Sequence, residues 1–161
     1  MTSPTTDDAV RASVVVAAPP ERAFAVFTED IGTWWPPEHH ILQGELDRMV
    51  FEPRVGGHVF DQATDGTTCQ WARVLAYDPP RRFVISWDIN LQWEMETDPA
   101  RVSEVEVRFV PEDEGRTRVE LEHRHLDRLG PGWEQMRDAV ASPGGWERGL
   151  GRYVEAVAPR S

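Results

Sequence analysis

The residues best equipped for chemistry in this chain are its five histidines and seven tryptophans. His39 and His40 stand side by side in "GTWWPPEHHI" (32–41), and His123 and His125 are two apart in "LEHRH" (121–125). Neighbours in an extended segment point opposite ways, so His39 and His40 reach one ion only through a sharp turn. Residues two apart in a strand share a face, which makes His123 and His125 the better chelating pair. A zinc centre needs a third ligand, and no His-x-x-x-His, cysteine pair or carboxylate spacing supplies one. No metal or other cofactor is therefore expected. His123 reads as a hydrogen-bonded group on a cavity wall, and His125 as a residue near a strand's end.

The tryptophans are Trp34, Trp35, Trp71, Trp87, Trp93, Trp133 and Trp146. Each joins a large apolar area to one N–H that needs an acceptor when buried. Concave apolar walls with few polar groups are the usual small-molecule sites. Trp87 and Trp93 are the strongest wall candidates. General acid–base work would need titratable groups within reach of one substrate. Glu45, Glu52, Arg54, Asp61, His39, His40 and His123 supply the types, but no spacing unites them. There is no Gly-x-Ser-x-Gly elbow, phosphate loop or dinucleotide fingerprint. Cys69 stands between polar residues, without a pattern that marks a reactive thiol. No catalytic residue is assigned. Glu52 and Arg54 read as a surface ion pair.

The whole chain must then position these groups. Its 161 residues suit one domain, and 40% are hydrophobic, enough for a core. The formal charge of −11 disfavours nucleic acid and anionic membrane surfaces. All 17 basic side chains other than histidine are arginine. With a single cysteine no intrachain disulfide can form. The polar, acidic start lacks the basic and apolar regions of a signal peptide, and no segment approaches the ~18 apolar residues of a membrane span. These features predict a cytoplasmic protein with a flexible tail over 1–9 and one domain over 10–161. Homodimerisation is left open.

"VRASVVVAA" (10–18) is β-branched and reads as a strand. Pro20 then opens a helix with Phe24 and Phe27 on one face, and Thr28 is expected to cap a second short helix carrying Ile31, Trp34 and Trp35. Residues 47 to about 126 read as antiparallel strands. Phe83, Ile85, Trp87, Ile89, Leu91, Trp93 and Met95 alternate with polar residues from Ser86 on. This predicts one strand over 83–95, with Trp87 and Trp93 buried and Asp88 and Gln92 in water. Trp133, Met136 and Val140 follow at helical spacing. After "SPGG", Ser142 is the expected N-cap of a final helix with the stripe Trp146, Leu150, Tyr153 and Val157.

The ordered pieces "APPERAFAVFTEDIGTWWP", "FEPRVGGHVF", "DGTTCQWARVLAYDPPRRFVISW", "VSEVEVRFVPEDEGRTRVELEH" and "GGWERGL" resemble the SRPBCC (START-like, helix-grip) superfamily. Within it, the chain looks most like bacterial homologues of the heat-shock-protein ATPase activator and polyketide cyclase-like proteins. The resemblance implies an α+β helix-grip fold. In it a curved antiparallel β-sheet wraps a long C-terminal helix, with two short helices after the first strand. It also implies a cavity between sheet and helix for a small hydrophobic ligand. The expected ligand-binding residues are Trp35, His39, His40, Trp87, Trp93, His123 and Trp146; the helix-grip arrangement would set Trp35 and Trp146 at or near the mouth, with the histidine pair on a loop at the lip. Simple binding is the favoured role. A cyclase, hydrolase or lyase acting in the same cavity is the alternative, and a co-chaperone module the next. The abundance of apolar over inward polar residues tilts the reading towards binding rather than turnover.

Overall fold

A computed structural model describes residues 9–36, 42 and 44–158. His39 and His40 lie outside the described residues, as does most of the tail over 1–9.

Seven strands, among the described residues, form one antiparallel sheet in the order β1-β7-β6-β5-β4-β3-β2. They are β1 (Val10–Val16), β2 (Leu46–Phe51), β3 (His58–Ala63), β4 (Thr68–Asp78), β5 (Arg82–Trp87), β6 (Ser103–Asp113) and β7 (Arg116–Arg124). Helices α1 (Pro20–Thr28) and α2 (Ile31–Trp34) follow β1, and α3 (Trp133–Ala141) and α4 (Trp146–Val157) close the described chain. This is the helix-grip α+β arrangement, with the C-terminal helical region interrupted at residues 142–145.

Period-two alternation sorts the sheet's two faces. Phe83, Ile85 and Trp87 of β5 are buried, as are Val105, Val107 and Phe109 of β6 and Val119, Leu121 and His123 of β7. Register aligns them: Phe83 faces Val107, Ile85 faces Val105, and Val105 faces His123. The apolar stripe of α4, Trp146, Leu150, Tyr153 and Val157, is buried as its spacing predicts. Tyr153 Oη donates to the Ala23 carbonyl at 2.7 Å and ties α4 to α1. Phe24 and Phe27 of α1 meet Phe83 and Phe109 of the sheet at ring-centroid distances of 5.0–5.9 Å.

The opposite face of β5–β7 carries arginines and glutamates in a ladder. Glu106 accepts from Arg82 at 2.8 Å and Arg124 at 2.7 Å. Burial works against its charge, but those hydrogen bonds and the charges of Arg108 and Arg124 win, and its carboxyl sits below the usual range.

Three local expectations are corrected. Thr28 ends α1 rather than capping α2; its Oγ1 donates to the Phe24 carbonyl at 2.9 Å, and Asp30 holds the cap position. Ser142 closes α3, its Oγ donating to the Ala139 carbonyl at 2.7 Å, while Gly145 is the N-cap of α4. The strand expected over 83–95 stops at Trp87. Beyond it the chain folds back, with Ile89 bridged to Met95 and Asn90 Oδ1 accepting from the N–H groups of Gln92 and Glu94. The reversal turns Trp93 out, 48% exposed at φ 60°, and Asp88, expected in water, is 6% exposed. Gln92 is exposed, as expected.

Candidate functional site

Four indoles close a ring inside the fold. Trp35 lies 5.2 Å from Trp71, Trp71 lies 5.8 Å from Trp87, Trp87 lies 5.6 Å from Trp146, and Trp146 lies 5.8 Å from Trp35, centroid to centroid. Each comes from a different element. Trp71 and Trp87 are held by the ladders of β4 and β5, Trp35 is the C-cap of α2, and Trp146 is the first residue of α4. Gly149, one turn into α4, faces Trp34 and Pro36, and a Cβ there would make ordinary van der Waals contact with both, at 3.8 Å and 3.9 Å.

His123 completes the wall, its ring 4.9 Å from Trp87 and fully buried. Trp146 Nε1 donates to His123 Nδ1 at 3.1 Å, and His123 Nε2 lies 2.7 Å from Ser103 Oγ. An indole N–H can only donate, so Nδ1 must be unprotonated and the neutral ring carries its proton on Nε2. Nε2–H then donates to Ser103. Protonating Nδ1 would set two donors against each other. Burial alone pushes the His123 pKa down to about 3. The residue is thus a neutral brace with both nitrogens engaged, poorly suited to take a proton near neutral pH. Ser103 is brought there because it pairs with Trp87 across β5 and β6.

The indole N–H groups have unequal fates. Trp71 Nε1 donates to the buried Asp61 at 3.2 Å, and Trp34 Nε1 to the Val26 carbonyl at 3.1 Å. Trp87 Nε1 is buried without a partner. Leaving a buried donor unpaired costs about 1–3 kcal/mol, and such atoms are uncommon in folded proteins. Asp88 Oδ1, on the residue that follows β5, is a buried acceptor likewise without a partner. Burial holds the Asp88 carboxyl above its usual range against Ser86 and Arg73, which act to lower it.

Of the expected ligand-binding residues, Trp35, Trp87, Trp146 and His123 therefore come together. Trp35 and Trp146, expected at the mouth, are buried. Trp93 stands apart on the turn after β5. Trp71 and Ser103 join the wall although neither was selected from sequence. Trp71 stands in the run "CQWARV", whose inward face gives no alternation to read, whereas Ser103 carries no signal at all. His125 does not share a face with His123, because β7 ends at Arg124 and His125 takes a left-handed turn at φ 62°. Among the described residues no three His, Cys, Asp or Glu side chains gather to hold a metal. Glu52 and Arg54 pair on the surface at 3.4 Å. The Cys69 thiol is pushed up to about 11 by burial and by Asp61, the opposite of an activated nucleophile. A half-open pocket of about 340 Å³ lies between β1 and the α3–α4 junction, bounded by Val10, Val14, Val140, Leu150 and Trp146, the last shared with the indole ring.

Residues 17–157 match the model of the family described as Activator of Hsp90 ATPase homolog 1-like protein. The chain belongs to that family, within the SRPBCC superfamily. None of the curated proteins matches it. Among solved structures it is similar to the anthrahydroquino-gama-pyrone synthase Txn09, solved as a complex with SUM. The two share 42% identity over 92% of this chain and 96% of that one, with a TM-score of 0.65. It is also similar to CalC of Micromonospora echinospora, a self-sacrificing resistance protein, at 28% identity over 94% of each chain and a TM-score of 0.63. MLL2253 of Mesorhizobium loti, at 20% identity and a TM-score of 0.64 over 92% and 95% of the two chains, shares the fold. A fold of this family with such neighbours is consistent with hydrophobic ligand binding. No helix among the described residues is long and apolar enough to cross a membrane.

Proposed function

We propose that this chain binds a planar, fused-ring aromatic molecule against the indoles of Trp35, Trp71, Trp87 and Trp146. The closed indole ring carries this reading; its four members are buried and packed on one another, so the ligand enters by displacing one of them. Stacked and edge-on aromatic contacts favour a flat ligand, and burying roughly 300 Å² of its surface contributes on the order of 7 kcal/mol before entropy costs. His39 and His40 remain proposed orienting groups for the ligand. The setting proposed is the cytoplasm, in keeping with the lone cysteine and the acidic composition.

The similarity to Txn09, by its name a synthase of a fused aromatic pyrone, favours a second reading in which the bound molecule undergoes ring closure. Within one molecule, a hydroxyl oxygen bonds to the β-carbon of an unsaturated ketone, the carbon–carbon π bond breaks and the hydroxyl proton ends on the α-carbon, which closes a ring without change of mass. The protein then contributes orientation and exclusion of water. His123 would brace Trp146 rather than move the proton. The family description brings a chaperone partner into view, but a buried aromatic wall suits a small ligand better.

Titrating the protein with 9,10-anthraquinone, read by tryptophan emission and native mass spectrometry, tests the binding reading. Saturable quenching with one ligand per chain, weakened in Trp146→Ala, is the expected result. No saturable binding of any fused aromatic would overturn it and move docking through the outer surface to first place. Incubation with a hydroxyaryl unsaturated ketone, followed by chromatography for a product of equal mass, tests ring closure.

A further inference from the structure

We infer that the Trp87 indole N–H is the donor that recognises a carbonyl oxygen of the ligand, so that the site selects aryl ketones and quinones over fused hydrocarbons. The inference rests on the binding reading above and names the ligand chemistry within it.

Trp87 is 5% exposed, and its Nε1 is the one buried side-chain donor without a partner among the described residues. The acceptors engaged around the wall bond other donors, and none of them takes the Trp87 N–H. His123 Nδ1 takes the Trp146 N–H, Ser103 Oγ stands against His123 Nε2, and Asp61 takes the Trp71 N–H. The fold cannot easily turn Trp87 to find another acceptor. Its backbone pairs with Ser103 of β6, and its ring is held among Trp71, Trp146 and His123. The donor is thus fixed and unsatisfied before any ligand arrives.

A ligand oxygen that accepts this bond removes an existing penalty, while a hydrocarbon of the same shape leaves it in place. Because the indole nitrogen only donates, the complementary atom is an acceptor, and a ketone or quinone oxygen is the strong neutral acceptor that a flat aromatic can carry. The N–H is shut off from solvent, so the ligand must displace an indole to reach it.

The test compares 9,10-anthraquinone with anthracene, which has the same three-ring outline and no oxygen. Affinities are measured for the wild-type chain and for Trp87→Phe. The expected result is that the substitution weakens anthraquinone binding about fivefold to tenfold relative to its effect on anthracene. In the wild-type chain, a nitrogen-15 spectrum should show the Trp87 indole proton moving downfield with anthraquinone and not with anthracene. That measurement stands even if Trp87→Phe folds poorly, because site-specific 3-benzothienylalanine at position 87 identifies the peak by its loss. Equal weakening of both ligands, with no downfield shift, overturns the donor role and leaves aromatic binding intact. Failure of both ligands to bind the wild-type chain overturns the donor role and the binding reading together.

Discussion

At the scale of single residues, His123 decides how the site responds to acid. In the unfolded chain a histidine takes up its proton near pH 6.5, whereas the buried ring resists until about 3. Between those values the unfolded state binds more protons, so stability falls as the pH falls. The neutral ring's contribution is fully present above about pH 6.5 and is lost towards pH 3, at up to about 1.4 kcal/mol per unit. Urea unfolding from pH 7 to 4 should show this slope. His123→Leu should remove that part of it and cost about 2–4 kcal/mol at pH 7, because Trp146 Nε1 and Ser103 Oγ lose their partner. An unchanged slope in the variant would mean that other groups carry the acid response. His123 was legible in sequence as an inward-facing polar residue on an alternating strand. Its tautomer was not, because that depends on Trp146 and Ser103, 23 and 20 residues away.

At the scale of elements, two joints position the wall. The first is the break between α3 and α4. A Cβ on Gly145 would fall on the Val140 carbonyl and 2.7 Å from the Ala139 oxygen, both of them backbone. Gly145→Ala must therefore push α4 away from α3 and shift Trp146 from His123. A loss of about 2 kcal/mol or more in thermal unfolding is expected, together with weakened aromatic-ligand quenching. Ligand affinity equal to wild type would detach this joint from the site. The second joint is the turn after β5. Its apolar alternation continues through a reversal that has no Gly or Pro, so the pattern over 83–95 reads as one strand. The available signal was Asn90, whose side chain accepts two backbone N–H groups in the turn. Trp93 holds a left-handed backbone there at a cost glycine avoids. Trp93→Gly should raise the unfolding midpoint by up to about 1 kcal/mol equivalent and leave anthraquinone affinity unchanged. Loss of affinity would return Trp93 to the binding wall.

At the scale of the whole molecule, charge and pattern divide the labour. The order of strands and helices was legible because alternation and helical stripes follow directly from which faces are buried, as in Phe83, Ile85 and Trp87 or Trp146, Leu150 and Tyr153. The four-indole ring was only partly legible, because it gathers residues 35, 71, 87 and 146 from four elements, and their meeting depends on sheet curvature and helix approach. The wall so formed is uncharged: four indoles and a neutral imidazole. Around it the chain carries a formal charge of −11. Both facts act against an anionic ligand, by different routes. The net charge repels it over a distance that salt shortens, to about 10 Å at 0.1 M. The wall leaves a buried anion without a charged partner, a cost that salt does not relieve. Anthraquinone-2-sulfonate should therefore bind at least about tenfold more weakly than anthraquinone at 20 mM salt, a difference of about 1.4 kcal/mol. Raising the salt to 0.5 M should narrow the gap without closing it. Complete closure would assign the discrimination to long-range repulsion alone, with the sulfonate remaining in water at the lip. Tighter binding of the sulfonate at both salt concentrations would require a cation facing the ligand, which the indole wall does not provide, and would place the binding site elsewhere on the molecule.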